Sequence, residues 1–182
     1  METDSYVLET NLSSHDLERL KGELDTAHLP ARVQGTAVVF TDNEMGEQAQ
    51  AWIERLIDYN ARIHRQADRE GRPLERYKPR DEANLILAVC LGLQSKTASA
   101  IIHEVIWRQP FPNANHRTAT AALIDELGLT IDMEELRTLT NSVFAESKKL
   151  LDGSDQSLSN REAKNAHNAV IARLVGTLQS MR

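Results

Sequence analysis

Apolar residues recur along this chain at the three- and four-residue spacing of a helix face, and capping residues separate the segments that carry them. Ser13 with Asp16, Thr41 with Glu44, Asp132 with Glu135 and Ser159 with Glu162 each have the spacing of a capping box and predict a helix N-terminus. Asp81 and Ser95 begin two further apolar helices. Another helix is predicted over 117–127, ended by Gly128, and the helix that begins at Asp132 is predicted to reach about Leu151.

One segment, Ala31–Phe40, has the composition of β-strands. Val33, Val38, Val39 and Phe40 are strand formers, and Gly35-Thr36 can turn a hairpin between them. A single hairpin cannot build a sheet core. We therefore predict an all-α fold, a mainly helical bundle with one small β-hairpin flap at 31–40. Residues 1–30 are interpreted as an N-terminal helical extension, and 31–182 as the helical domain, within one compact unit.

Composition narrows the classes of function. The 182 residues include 41% hydrophobic residues and carry a formal net charge of −6. A chain with this net negative charge lacks the basic surface that nucleic-acid binding uses, so no nucleic-acid partner is expected. The longest apolar run, Leu85–Leu93, is too short to cross a bilayer, and Met1–Thr10 does not resemble a secretion signal. The only cysteine, Cys90, lies in that apolar run and is interpreted as a core residue. We expect a cytoplasmic protein without a membrane partner.

The segment from Gln109 to Arg117 is the strongest candidate for chemistry. It is a polar loop between two apolar helices, and Pro110 and Pro112 prevent the first helix from continuing. The loop leads directly into a helix N-terminus that carries Arg117. Exposed backbone N–H groups, the positive end of the helix dipole and a guanidinium favour an anion, commonly phosphate. An ordinary interhelical turn, with Asn115 as N-cap, explains the same spacing.

The loop also resembles the signature of the Fic/Doc family, His-x-Phe-x-(Asp/Glu)-(Gly/Ala)-Asn-x-Arg, at Phe111, Ala114, Asn115 and Arg117. The resemblance extends over about 31–151 and is closer to the Doc branch. It implies a Fic/Doc-like fold in which Phe111 anchors the loop. Asn113, Ala114, Asn115, His116 and Arg117 would bind the phosphates of ATP or another nucleotide. The flap at 31–40 would dock a target protein, and a regulatory or antitoxin partner would be expected.

Two departures from this signature affect the expected chemistry. Gln109 stands where the family has its catalytic histidine, and a glutamine amide takes up no proton near neutral pH. Asn113 replaces the carboxylate that would hold Mg²⁺, which leaves it a weak candidate for a metal ligand. His116 is a candidate substitute base. His15, His28, His64 and His167 are interpreted as surface residues.

Three functions remain open. The first is a degenerate member of that family, which binds a nucleotide or a partner without group transfer. The second is an active transferase that moves phosphate or AMP to a protein hydroxyl, as a toxin of a toxin–antitoxin pair would. The third is a helical interaction module that binds no nucleotide. Gln109 and Asn113 favour the first, and the presence of Asn115 and Arg117 disfavours the third.

Overall fold

The computed structural model describes residues 5–71, 81–145 and 160–181. Within those ranges the chain forms seven helices and one three-stranded sheet. In chain order the elements are β1 (Tyr6–Glu9), α1 (Ser14–Thr26), β2 (Ala31–Gln34), β3 (Ala37–Phe40), α2 (Asn43–Arg69), α3 (Glu82–Gln94), α4 (Ala98–Arg108), α5 (Asn115–Glu126), α6 (Met133–Val143) and α7 (Asn160–Gln179). The prediction of a mainly helical fold with a small β-flap is confirmed.

The sheet is antiparallel, with strand order β1-β3-β2. The predicted hairpin is present, with Ala31 opposite Phe40 and Gln34 opposite Ala37. The expectation that 31–40 is the only strand segment is wrong, because β1 pairs with the other edge of β3, Tyr6 opposite Phe40. All four residues of β3 are buried. A four-residue strand such as β1 has too short a pattern to be found without the partner that completes its hydrogen bonds.

Most helix starts follow the predicted caps. Ser13 accepts a hydrogen bond from Asp16 N, and Asp132 with Glu135 forms a full capping box. Three starts differ from the prediction, and one of them is α5, which begins at Asn115 and not at residue 117. Asp42, not Thr41, caps α2, and Thr97, not Ser95, caps α4, because Ser95 and Lys96 still close the last turn of α3. Gly128 follows α5 with φ +68°, as its predicted position requires, whereas α6 ends at Val143, before the expected Leu151. Ser159 lies outside the described residues.

Helix α3 is the centre of the core. A helix with an unbroken apolar run places apolar side chains on every face, so every face has to be covered. Helix α3 is buried from Leu85 to Cys90, and α1, α2 and α4 pack around it. Cys90 is fully buried, and burial raises the pKa of its thiol to about 12. Gly92 lets α4 approach closely, because a Cβ at this position would lie 2.3 Å from Ile101 Cγ1 and 2.5 Å from Ile101 Cα. The backbone of α3 at Gly92 therefore packs directly against both the backbone and the side chain of Ile101.

Helix α7 packs on α4 through aromatic side chains. The His103 ring on α4 and the His167 ring on α7 have centroids 5.2 Å apart, and Trp107 lies 6.3 Å and 6.1 Å from them. His103 is 7% exposed and His167 is fully buried, so the interpretation of His167 as a surface residue is wrong. His64, 3% exposed, is also buried. Burial, with Lys164 as a second cause, lowers the pKa of His103 to about 4. Burial, with His103 as a second cause, lowers the pKa of His167 to about 4.

Replacing Gly92 by alanine should destabilise the protein. The added Cβ has to displace Ile101, and overpacking of this kind costs about 1–3 kcal/mol of unfolding free energy. Gly22→Ala is the matched control, because Gly22 is exposed in α1 with no atom within 4 Å of a built Cβ. That change should gain up to about 1 kcal/mol from helix propensity. Urea unfolding of both variants measures the difference, and equal effects would contradict the close α3–α4 contact.

The histidine pair should make stability fall in mild acid. Both pKa values lie lower in the folded chain, about 4, than in the unfolded chain, about 6.5, so the unfolded state binds more protons between these values. The stabilisation is fully present above pH about 6.5 and should decline toward pH about 4. We expect a loss of about 2–4 kcal/mol across this window.

Urea unfolding at a series of pH values tests this expectation. Glu104 and Lys164 are the charged side chains that face the same cluster among the described residues. Replacing His103 or His167 by glutamine should flatten the pH dependence. His15→Gln should not, because the His15 side chain is 89% exposed. An unchanged slope in the His103 and His167 variants would show that other groups cause the acid sensitivity.

Candidate functional site

The connection between α4 and α5 has left-handed backbone at both ends. Gln109 (φ 50°) ends α4 and Ala114 (φ 62°) precedes α5. Residues other than glycine adopt this region at a cost of about 1–2 kcal/mol, and alanine has no side-chain hydrogen bond to offset it. Strained backbone persists only where surrounding contacts hold it, and it is enriched at functional sites. The contacts that hold this loop are therefore the basis of the candidate site.

The side chains of Phe111 and Asn115 hold the loop from inside. Phe111 is fully buried, and Asn115 is 3% exposed. Asn115 Oδ1 accepts a hydrogen bond from Phe111 N at 2.9 Å, while Asn115 Nδ2 donates to Phe111 O at 2.8 Å and to Gln109 Oε1 at 3.1 Å. One amide thus connects the two ends of the turn. This geometry brings together three of the residues that the sequence singled out.

Helix α2 supports the loop through a residue that the sequence analysis missed. Asn60 is fully buried, and its Nδ2 donates to Asn113 O at 3.1 Å and to Thr118 Oγ1 at 2.9 Å. No donor among the described residues reaches Asn60 Oδ1. The sequence does contain a signal for this residue: Asn60 is polar, yet it lies at helical spacing from Leu56 and Ile63 on the apolar face of α2.

The N-terminus of α3 supports the other side of the loop. Asp81 N donates to Pro110 O at 3.1 Å, and Asn84 Nδ2 donates to Arg108 O at 3.3 Å. Arg19 of α1 donates hydrogen bonds to both side chains, to Asp81 Oδ1 at 2.6 Å and to Asn84 Oδ1 at 3.1 Å. The loop is thus fixed from α1, α2 and α3 together.

Gln109 and Asn113, at the expected catalytic and metal positions, both form hydrogen bonds within the loop or to the end of α4. Gln109 Nε2 donates to Ile106 O, and Gln109 Oε1 accepts from Asn115 Nδ2. Asn113 Oδ1 accepts from Ala114 N at 2.7 Å. Among the described residues no group of three His, Cys, Asp or Glu side chains is placed to hold a metal ion. Both amides act as structural hydrogen-bonding groups in this geometry.

His116 and Arg117 occupy the first turn of α5. The His116 ring is 9% exposed and lies edge-on to Phe144 of the segment after α6, with centroids 4.9 Å apart. Arg117 is half-buried, and burial lowers the pKa of its guanidinium. No side chain caps α5, and no acidic residue lies in its first turn. The positive end of the helix dipole and a cation therefore share one place.

Arg117 differs from the comparable arginines in the described part of the chain. Four other half-buried arginines each contact a carboxylate: Arg19 with Asp81 at 2.6 Å, Arg55 with Glu126 at 2.6 Å, Arg108 with Glu23 at 3.0 Å and Arg137 with Glu70 at 3.7 Å. Arg117 has no ion pair with any residue in the described ranges. A cation partly removed from water without a counterion is an unsatisfied group.

The flap lies apart from this loop. The sheet packs on α1 and α2, and β1 reaches α2 at Gly46, where a Cβ would lie 2.3 Å from Tyr6 Cβ. Gly46 and Asn60, which contacts the loop, are 14 residues apart on α2, about 21 Å along the helix axis. The structure does not bring these two predicted features together.

Comparison with known proteins identifies the chain by family. Residues 26–173 match the family of unknown function DUF8172, and the chain belongs to that family. It matches no curated protein and no solved structure. No described helix has both the length and the apolar character needed to span a membrane.

The interpretation of the chain as a Fic/Doc protein is wrong, because the matching family is DUF8172 and no Fic/Doc match accompanies it. The reason lies in the loop itself. Phe111 is buried, Ala114 has a left-handed backbone and Asn115 bridges the turn, so three of the four shared positions serve the local structure. A short signature satisfied by the demands of one turn does not establish a common family.

Replacing Asn115 by alanine should destabilise the loop. The change removes three hydrogen bonds and leaves the buried N–H and C=O of Phe111 without their partner. At roughly 1–3 kcal/mol for each unsatisfied group, we expect a loss of about 2–4 kcal/mol in unfolding free energy.

Asn113→Ala is the matched control for this measurement. The Asn113 side chain is exposed and accepts one local hydrogen bond, so its loss should cost less than about 1 kcal/mol. Urea unfolding of both variants gives the comparison. If Asn115→Ala is no more destabilising than Asn113→Ala, then the Asn115 bridge does not hold the turn.

Proposed function

We propose that this protein binds the phosphate group of a small ligand over the first turn of α5, with nucleotides as the ligand class, and transfers no group from it. The site comprises the loop Gln109–Ala114 and the first turn of α5. The observation that carries this proposal is Arg117, a half-buried guanidinium without a counterion among the described residues.

The charge of Arg117 supports an anionic ligand. Burial lowers the pKa of the guanidinium, which means that its surroundings disfavour the positive charge. An arginine nevertheless stays protonated near neutral pH, so the unfavourable burial persists until an anion joins it. A phosphate oxygen pair fits the planar fork of N–H donors better than a single carboxylate oxygen does.

The start of α5 adds a second source of attraction for the same anion. Helices normally begin with a side chain that accepts a bond from the first N–H groups, and α5 begins with Ala114, which has none. A left-handed residue followed by helical ones also turns successive N–H groups toward one side, as anion-binding nests do. Phosphate at such a terminus is bound by backbone, dipole and arginine together.

The absence of group transfer rests on Gln109 and on the environment of the loop. A general base has to be within hydrogen-bond reach of the proton that it removes, and it has to accept that proton. The Gln109 amide cannot be protonated near neutral pH, and both of its ends bond to the protein. His116 is nearly buried against Phe144. These observations favour binding over catalysis.

Isothermal titration with ATP, pyrophosphate and inorganic phosphate, each with and without Mg²⁺, tests this function. We expect ATP and pyrophosphate to bind, and adenosine not to bind. Arg117→Ala should weaken ATP binding by about 1.5–3 kcal/mol, roughly 10- to 150-fold, the scale of a charged hydrogen bond. Arg117→Lys should lose part of this, because lysine retains the charge without the planar fork.

Arg62→Ala is the matched control. Arg62 is exposed on α2 and pairs with Asp58 at 2.7 Å, so its loss should leave ATP affinity unchanged. Arg117→Ala should also keep or raise the unfolding free energy, because it removes an unpaired, partly buried charge. Equal ATP affinity in the parent and in Arg117→Ala would refute the proposed site. A large loss of stability in Arg117→Ala would instead indicate a structural arginine.

A further inference from the structure

We propose that the cavity between α4 and α7 is a second binding site, which takes a small amphipathic carboxylic acid. The cavity has a volume of about 560 Å³, within the range of small-molecule sites, and lies apart from the loop at Gln109–Ala114. Its carboxylate end is formed by His103 and Lys164. Its apolar end is formed by Leu91, Ile171 and Val175.

His103 supplies the first argument for a ligand. Its side chain borders the cavity, is 7% exposed, and has no hydrogen-bond partner at either ring nitrogen among the described residues. The nearest carboxylate atom, Glu104 Oε1, lies 3.8 Å from Nε2, too far for a hydrogen bond. A neutral imidazole still carries one N–H donor and one acceptor. In the proposed complex a carboxylate oxygen reaches one of these ring nitrogens from the cavity and satisfies it.

Lys164 supplies the charge. Its Nζ lies 3.8 Å from Glu104 Oε1, whereas Glu104 Oε2 accepts a hydrogen bond from Arg108 Nε at 3.1 Å. Arg108 is shared between Glu104 and Glu23, and the ammonium of Lys164 lies beyond hydrogen-bond distance of Glu104, so it keeps its donors. The Lys164 side chain is 44% exposed and can move toward the cavity without losing a hydrogen bond. An anionic ligand is favoured over a cationic one for this reason.

Part of the remaining wall suits a hydrocarbon chain. Leu91 of α3 and Ile171 and Val175 of α7 line the cavity with the small residues Ala100 and Gly176, beside polar side chains that include Ser95 and Thr97. A Cβ built on Gly176 meets no atom within 4 Å. Gly176 is exposed on α7, so a short aliphatic chain can lie over it, and contact of its methylenes with Leu91, Ile171 and Val175 contributes affinity.

Octanoate is the probe, with 1-octanol and octylammonium as ligands of equal chain length and different charge. A ¹H–¹⁵N correlation titration should shift resonances of α4 and α7 around the cavity, and Trp107 fluorescence should change, since its ring lies 5.9 Å from Lys164 Nζ. Octanoate should bind at least about ten times more tightly than 1-octanol, which is the scale of one charged hydrogen bond.

Gly176→Leu should place a side chain over the cavity that Gly176 lines and weaken octanoate binding at least about tenfold. The change replaces a helical glycine with a stronger helix former, so folding should be retained. Gly22→Leu, at an exposed helical glycine in α1, is the matched control and should leave binding unchanged. Lys164→Gln should reduce octanoate affinity to that of 1-octanol.

Three results would overturn the proposal: octanoate shifts confined to other elements, undiminished affinity in folded Gly176→Leu, or tighter binding of octylammonium than of octanoate. If Gly176→Leu does not fold, the parent titration decides, because resonances outside α4 and α7 then identify another site. ATP binding at α5 plays no part in these measurements, so the two proposals succeed or fail separately.

Discussion

The close contact between α3 and α4 positions both candidate sites of this protein, the loop before α5 and the cavity between α4 and α7. Gly92 removes the Cβ that would otherwise hold α4 away, and Ile101 packs directly against the backbone that results. Helix α4 therefore has one orientation on the buried α3. Its C-terminal end presents the loop that leads to α5, and its outer side receives α7. A shift of this one contact would move both candidate sites at once.

The loop after α4 combines unfavourable local features with strong support. Two left-handed residues, an uncapped helix N-terminus and an unpaired guanidinium all raise the free energy of the unliganded chain. The Asn115 bridge, Asn60 and the N-terminus of α3 hold the loop against this tendency. Binding sites for charged ligands commonly combine such features, because the groups that attract the ligand are already held in place before it binds.

The two proposed sites differ in how they would recognise an acid. At α5, charge dominates, and the donors are a guanidinium and backbone N–H groups at a helix terminus. Between α4 and α7, polar and apolar side chains share the lining, and one imidazole and one ammonium would orient the head group. His103 lies on α4 and Gln109 directly follows its C-terminal end, about 9 Å farther along the axis, so the two sites lie at different positions along this helix.

The sequence by itself determined the helices, most of their caps and the hairpin at 31–40, because these depend on residues within a few positions of one another. It also located the loop that the structure holds in strained backbone. Only the tertiary structure decided that Tyr6–Glu9 is a strand, that Asn60 supports the loop, and that His103 and His167 meet in a buried cluster. The same limit explains the wrong family, since Phe111, Ala114 and Asn115 satisfy one turn whatever the surrounding fold. The strand at Tyr6–Glu9, the support from Asn60 and the histidine cluster each depend on groups brought together from distant parts of the chain, and local pattern carries no information about which distant group will be the neighbour.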